Sequence, residues 1–169
     1  MKIIEALKKI KDLNRKLEDL KEKIGKHSAD MDFETPVYPD QRAQIAAWVQ
    51  GSVDIIREME RLKFCIHKTN LQTMVTITLG DNTITKSISQ WIDRRKTLVA
   101  LEESIYRKLT NRGLKDVNIQ TSTGTPQLSR VRVYFDAKDK DTKMSVLGEE
   151  PSLIDAKLEI VNATTDLIE

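Results

Sequence analysis

Six residues near the middle of this chain have the types that grip an anion: Lys68, Thr69 and Asn70, then Ser87, Arg94 and Arg95. They stand at two junctions, I-H-K-T-N (66–70) and S-I-S-Q-W-I-D-R-R (87–95). A helix N-terminus offers unpaired N–H groups and a favourable dipole to an anion, and Ser87 reads as the first residue of such a helix. Arginine adds planar, bidentate recognition of phosphate. Arg94 and Arg95 are adjacent, so about 100° separates them on a helix and one of the two is expected to face the site. A hairpin folding back between the junctions gathers Lys68, Thr69 and Asn70 into the same pocket. The competing reading is that these groups cap helices and make surface ion pairs. A second cationic set lies in R-V-R-V-Y, where strand alternation puts Arg130, Arg132 and Tyr134 on one face and Val131 and Val133 on the other. That face suits stacking on a base and neutralising a phosphate. It equally suits the wet side of a half-buried sheet.

Residues for a reaction are sparse. His27 and His67 lack metal-ligand spacing, no Ser, His and Asp set has a recognisable motif, and there is no glycine-rich phosphate loop. Carboxylates are numerous but interleaved with lysines, as on solvated helix faces. The single cysteine, Cys65 in F-C-I, excludes an internal disulfide and reads as a small buried hydrophobe. The expectation is a protein that is not an enzyme and carries no catalytic residue, metal or cofactor.

The elements that position these residues are mostly helices. In the first, over 2–25, Ile3, Ile10, Leu17 and Ile24 fall seven apart with Ala6, Leu13 and Leu20 between them, a heptad seam closed by Gly25. The seam packs either within its own chain or against another copy. Pro36 and Pro39 make 26–39 a loop. A second helix over 40–67 carries a wide apolar face through Ile45, Trp48, Val49, Ile55, Ile56, Met59, Leu62 and Ile66. A hairpin over 72–86 follows, its M-V-T-I-T-L run alternating with period two and G-D-N supplying a turn with positive φ. A third helix over 87–112, capped by Ser87 and Gln90 and ended by Gly113, presents Ile88, Trp91, Ile92, Leu98, Leu101, Ile105 and Leu109. Strands over 117–136 pair V-N-I-Q with S-R-V-R-V-Y-F-D across S-T-G-T-P. Residues 137–149 read as an exposed charged stretch, and a last helix over 151–168 follows Pro151 with Leu167 and Ile168 on its apolar face.

These elements make a helix-rich α+β fold with long heptad-patterned antiparallel helices, a β-hairpin and a second short strand pair. The length of 169 residues suits one domain over 1–169. A net charge of +2 argues against nucleic acid or membrane as partner. No signal peptide or membrane-length apolar run is present, so the expected location is the cytoplasm.

Several motifs, in order, resemble a family of small bacterial and phage proteins, some of which are labelled septicolysin. They are M-K-I-I-E-A-L, I-H-K-T-N, the glycine turn, T-I-T-K-S-I-x-x-W-I-D-R-R, S-R-V-R-V and D-A-K-L-E-I-V-N-A-T-T-D-L. The chain departs from the family pattern at Asn162, followed by Ala163 where the family has tryptophan, and at Arg94-Arg95-Lys96, where it has arginine followed by an acid. The label implies a pore-forming cytolysin. Phage membership implies sequestration of a host immune nucleotide in the host cytoplasm, which needs affinity and no catalysis. Together with the residues, this frames the expected function. The chain is a non-catalytic homo-oligomer that binds a phosphorylated small molecule, or alternatively an oligomeric scaffold with a protein partner and no small ligand.

Overall fold

The computed structural model describes residues 1–120, 122 and 124–169. The protein is helix-rich α+β, with long helices and two small two-stranded antiparallel sheets. Its residues group into two compact units: Met1–Met74, Ser87–Ser89 and Leu158–Glu169 in the first, Val75–Lys86 and Gln90–Lys157 in the second.

The first unit is built on two antiparallel helices, α1 (Ile3–His27) and α2 (Gln41–Gln72). The Glu5 carboxylate accepts the Lys2 amide at 2.8 Å and starts α1. The heptad seam of α1 packs within its own chain. Ile3, Ala6 and Leu17 are buried, and Ala6 joins Leu62 and Ile66 of α2 in a core cluster flanked by Ile10 and Leu13. Lys9 Nζ meets Glu58 at 2.6 Å, and Gln41 donates to the His27 carbonyl at 2.9 Å, so contacts descend one helix as they climb the other. Gly25 does not stop α1. The helix continues through Lys26 and His27, and the Lys26 ammonium suits its carbonyl end. The His27 ring, expected in a loop, packs at 5.5 Å from Tyr38 and 5.8 Å from Trp48, and closes the helical hairpin. Asp40 caps α2 by accepting the Ala43 amide at 2.9 Å. The helix runs past residue 67 because K-T-N-L-Q contains no breaker, and ends where Thr73 turns extended.

The C-terminal residues complete this unit. Leu167 and Ile168 lie beyond the last helix, and the Leu167 amide donates to the Met1 carbonyl at 2.8 Å. Lys2 and Asp166 form an antiparallel bridge.

Strand β1 (Met74–Leu79) and strand β2 (Asn82–Ser87) flank a Gly80-Asp81 turn. Gly80 has φ +58°, the positive value that favours glycine. In the second unit Val75, Ile77 and Leu79 are buried, while Thr76 and Thr78 bond Thr85 and Thr83 across the exposed face at 2.8 and 3.2 Å. Trp91 is fully buried, and its indole N–H donates to the Val75 carbonyl at 2.8 Å.

The third helix is not a plain α-helix. It comprises α3 (Ile88–Asp93), a π-helical turn (Arg94–Leu98) and α4 (Val99–Arg107). The Val99 amide reaches the Arg94 carbonyl, five residues back. The extra residue sets everything beyond it back by about 100°. Val99 is buried, and Leu98, Leu101 and Ile105, expected on the inward stripe, are exposed. The helix stops at Arg107 rather than 112, and Gly113 (φ +72°) lies in the turn that follows.

Strands β3 (Val117–Gln120) and β4 (Pro126–Ser129) pair antiparallel, Val117 opposite Ser129. Thr123, in the link between them, lies outside the described residues, as does Thr121. The strand expected through Asp136 ends at Ser129. Val117 is the first residue of β3, so the ladder has no partner left, and the Val131 amide bonds the Asp116 carboxylate at 2.7 Å instead. Arg130–Asp136 is irregular.

Helix α5 (Ala137–Thr164) includes both the stretch read as exposed linker and Pro151. Asp136 accepts the Asp139 amide at 2.9 Å and begins it. Pro151 removes one N–H from the helix but does not end it, because the buried positions Leu147, Glu150, Ile154 and Leu158 keep helical spacing across it.

Candidate functional site

The residues of the expected anion site are engaged by their own units. In the first, the Lys68 ammonium donates to the Glu169 carbonyl at 2.5 Å. Thr69 is buried. Its hydroxyl donates to the Cys65 carbonyl at 2.7 Å and accepts the Ile168 amide at 2.9 Å. Both side chains therefore fasten the C-terminal segment to the end of α2. Asn70 Oδ1 is buried with no hydrogen-bond partner among the described residues. Ser87 is buried and closes β2.

In the second unit Arg94 is held on three nitrogens. Nε and Nη2 meet the two oxygens of Glu150 at 2.6 and 2.8 Å, and Nη1 meets Glu102 at 2.6 Å. The Glu150 side chain is 2 % exposed. The Glu150 hydrogen bond, with Glu102 behind it, raises the Arg94 pKa above its ordinary value, so the guanidinium stays charged. Arg95 pairs with Asp155. Of the two adjacent arginines, one was expected to face a ligand; both face carboxylates of this chain. The reason is helix α5, whose N-terminal half was read as linker and whose Glu150 and Asp155 lie on either side of Pro151.

Arg130, Arg132 and Tyr134 differ. Without a strand they have no common face set by a pleat. They are exposed, Tyr134 to 88 %, and make no hydrogen bond or ion pair among the described residues. Among those residues no cluster of His, Cys, Asp or Glu has the arrangement of a metal site, and no helix is long and apolar enough to cross a membrane.

One feature escaped the sequence reading. The wide apolar face assigned to α2 is two faces. Met59, Leu62 and Ile66 are buried, as is Cys65. Val49 and Ile56 are exposed, and with them Val53, Phe64 (66 %) and Leu71 (64 %). On a helical wheel these five fall within about 80° of each other, opposite the buried set. The signal was present as a spacing of four, three, eight and seven residues, masked because the two apolar stripes interleave in sequence. Beside Ile56 is a shallow hollow of about 270 Å³, lined by Ile56, Met59, Glu60 and Lys63. A second cleft, of about 470 Å³, lies at the other end of the helical pair and is mixed in character, with Lys26, His27, Ala29, Asp30, Val37 and Gln41 on its wall.

No protein-family profile, curated protein or solved structure matches the chain.

Proposed function

We propose that this chain is a non-catalytic binding protein that works as an assembly of its own copies. The observation that carries the reading is the exposed apolar line on α2, five large side chains on the side of the helix away from its own core. A line of exposed apolar side chains of that length marks a contact with another protein. The heptad seam of α1, which first suggested self-association, is occupied by α2, so the assembly surface moves from the first helix to the second. Sedimentation equilibrium across micromolar concentrations should give a mass above 19.4 kDa. A mass of one chain throughout refutes self-association.

A second reading keeps an anionic small molecule, such as a nucleotide signal, as the sequestered ligand. It is favoured by Arg130, Arg132 and Tyr134, which stand exposed with no partner among the described residues while Arg94 and Arg95 are bound to carboxylates. Calorimetry against mono-, di- and cyclic nucleotides at low salt should then give heat that falls as salt rises. The heat should vanish on replacing Arg130 and Arg132 by alanine and persist on replacing Arg95. An absence of heat at low salt leaves the scaffold reading alone.

A further inference from the structure

Resting on the self-association reading, we infer that the exposed face of α2 is a two-fold interface in which a second copy of the same helix lies antiparallel, centred on Glu60. The exposed line does not follow a heptad. Val49, Val53, Ile56 and Glu60 are separated by four, three and four residues, and from Glu60 the same steps lead to Phe64, His67 and Leu71. These are two copies of an 11-residue repeat, three helical turns each at 3.67 residues per turn, close to the 3.6 of a straight α-helix. A line of that period stays on one side of α2 over the roughly 33 Å from Val49 to Leu71. A straight helix with the same repeat can follow it end to end, and α2 of another copy is such a helix.

Direction follows from side-chain size. The half before Glu60 carries Val49, Val53 and Ile56, and the half after it carries Phe64, His67 and Leu71. A parallel pair sets large against large at one end and small against small at the other. An antiparallel pair about Glu60 places Val49 opposite Leu71, Val53 opposite His67 and Ile56 opposite Phe64, so each of these layers sets a smaller residue against a larger one, with Glu60 against Glu60 at the centre. The hollow beside Ile56 is the receiving half of this match. Phe64, 66 % exposed and eight residues away, is the projecting half, and the two-fold makes the exchange reciprocal.

Charge agrees. Glu60 is the one carboxylate on the line, and Lys63 borders it. Neither makes a hydrogen bond or ion pair among the described residues. At the centre of the antiparallel pair two Glu60 carboxylates lie between two Lys63 ammonium groups, one from each copy, and the cluster is neutral. Each lysine answers the carboxylate of the opposite chain.

The test is sedimentation of the full chain with a parallel cross-linking arm. The wild type should run at twice 19.4 kDa. Phe64→Glu should weaken the dimer by roughly tenfold or more, the effect of removing a central aromatic anchor, with helix content and melting unchanged because the side chain is exposed. Glu60→Lys should weaken it too, and Glu60→Lys with Lys63→Glu should restore it. Mixed under mild oxidant, Val53→Cys and His67→Cys proteins should cross-link to each other and neither to itself. A wild-type dimer that Phe64→Glu and Glu60→Lys leave unmoved overturns this interface while self-association stands. Self-linked Val53→Cys overturns the antiparallel direction. A wild type of 19.4 kDa overturns both this proposal and the reading it rests on, and assigns the face to a different protein.

Discussion

Arg94 and Arg130 are the same side chain in opposite circumstances, both in the second unit. Arg94 sits in a π turn with three nitrogens against two carboxylates, one of them almost wholly buried. Arg130 sits on an irregular segment in water with no partner among the described residues. A guanidinium with three of its five donors fixed on two carboxylates, and its charge already answered, has little to offer a phosphate, whereas one exposed to solvent can exchange water for a ligand at little cost. Charge content therefore does not locate a binding site; unsatisfied donors do. The difference also separates stability from function, because removing each arginine or its partner should move only one of the two.

The largest effect should come from stranding Arg94. Glu150→Ala leaves a partly buried guanidinium with only Glu102 and should cost about 3 kcal/mol in urea unfolding, as for other broken buried pairs. Replacing Arg94 and Glu150 together by methionine should recover most of that loss. If Glu150→Ala unfolds with the wild type, the pair does not hold the unit together and the contrast with Arg130 collapses.

An exposed pair gives the middle of the scale. In the first unit the Glu58 carboxyl is held down to about 2 by hydrogen bonds from Arg61 and then Lys9. A folded pKa below the ordinary 4.5 means a contribution fully present above that value and lost as pH falls from 4.5 towards 2. Because these side chains stand at the surface, the contribution should be about 0.5 kcal/mol. Glu58→Gln should flatten that part of the stability–pH curve. An unchanged slope between pH 4.5 and 2 would show that the pair is not formed in solution.

The smallest effect on folding belongs to Arg130 and Arg132. Their replacement by alanine should leave the unfolding free energy within about 0.5 kcal/mol of the wild type, whatever it does to ligand heat. A larger loss would mean that these arginines have structural partners and are no freer than Arg94.

Where one signal acted alone, the sequence was easy to read. The α1 seam, the alternation of β1 and the glycine of its turn each obey a single period or a single φ requirement, and each element is present. Reading failed where two demands overlap. On α2 the inward and outward stripes interleave and merge into one broad face. Around Pro151 a breaker and a run of charges outweigh the buried spacing of Leu147, Glu150, Ile154 and Leu158, so the sequence predicts an exposed stretch over 137–149 and a helix only from 151, and Glu150, the partner of Arg94, falls between the two. At Arg130 to Tyr134 alternation predicts a strand, yet a strand needs a neighbour, and β3 is four residues long. The anion-site residues were chosen by type, and nothing in residue type records whether a long-range carboxylate has already claimed the donor.

The π turn at Arg94–Leu98 has a consequence for how the chain tolerates editing. Such a turn is an α-helical turn with one residue inserted, so a single deletion within it can be absorbed by reverting to ordinary α geometry, with every downstream backbone bond re-formed. The helix would survive, and because the lost residue cancels the set-back of about 100°, every side chain after it would keep its present direction. Val99 would stay in the interior, and Leu101 and Ile105 would stay outside. In this helix the loss of one residue inside the turn spares every position that follows, whereas the same loss a few residues later would rotate all that come after it.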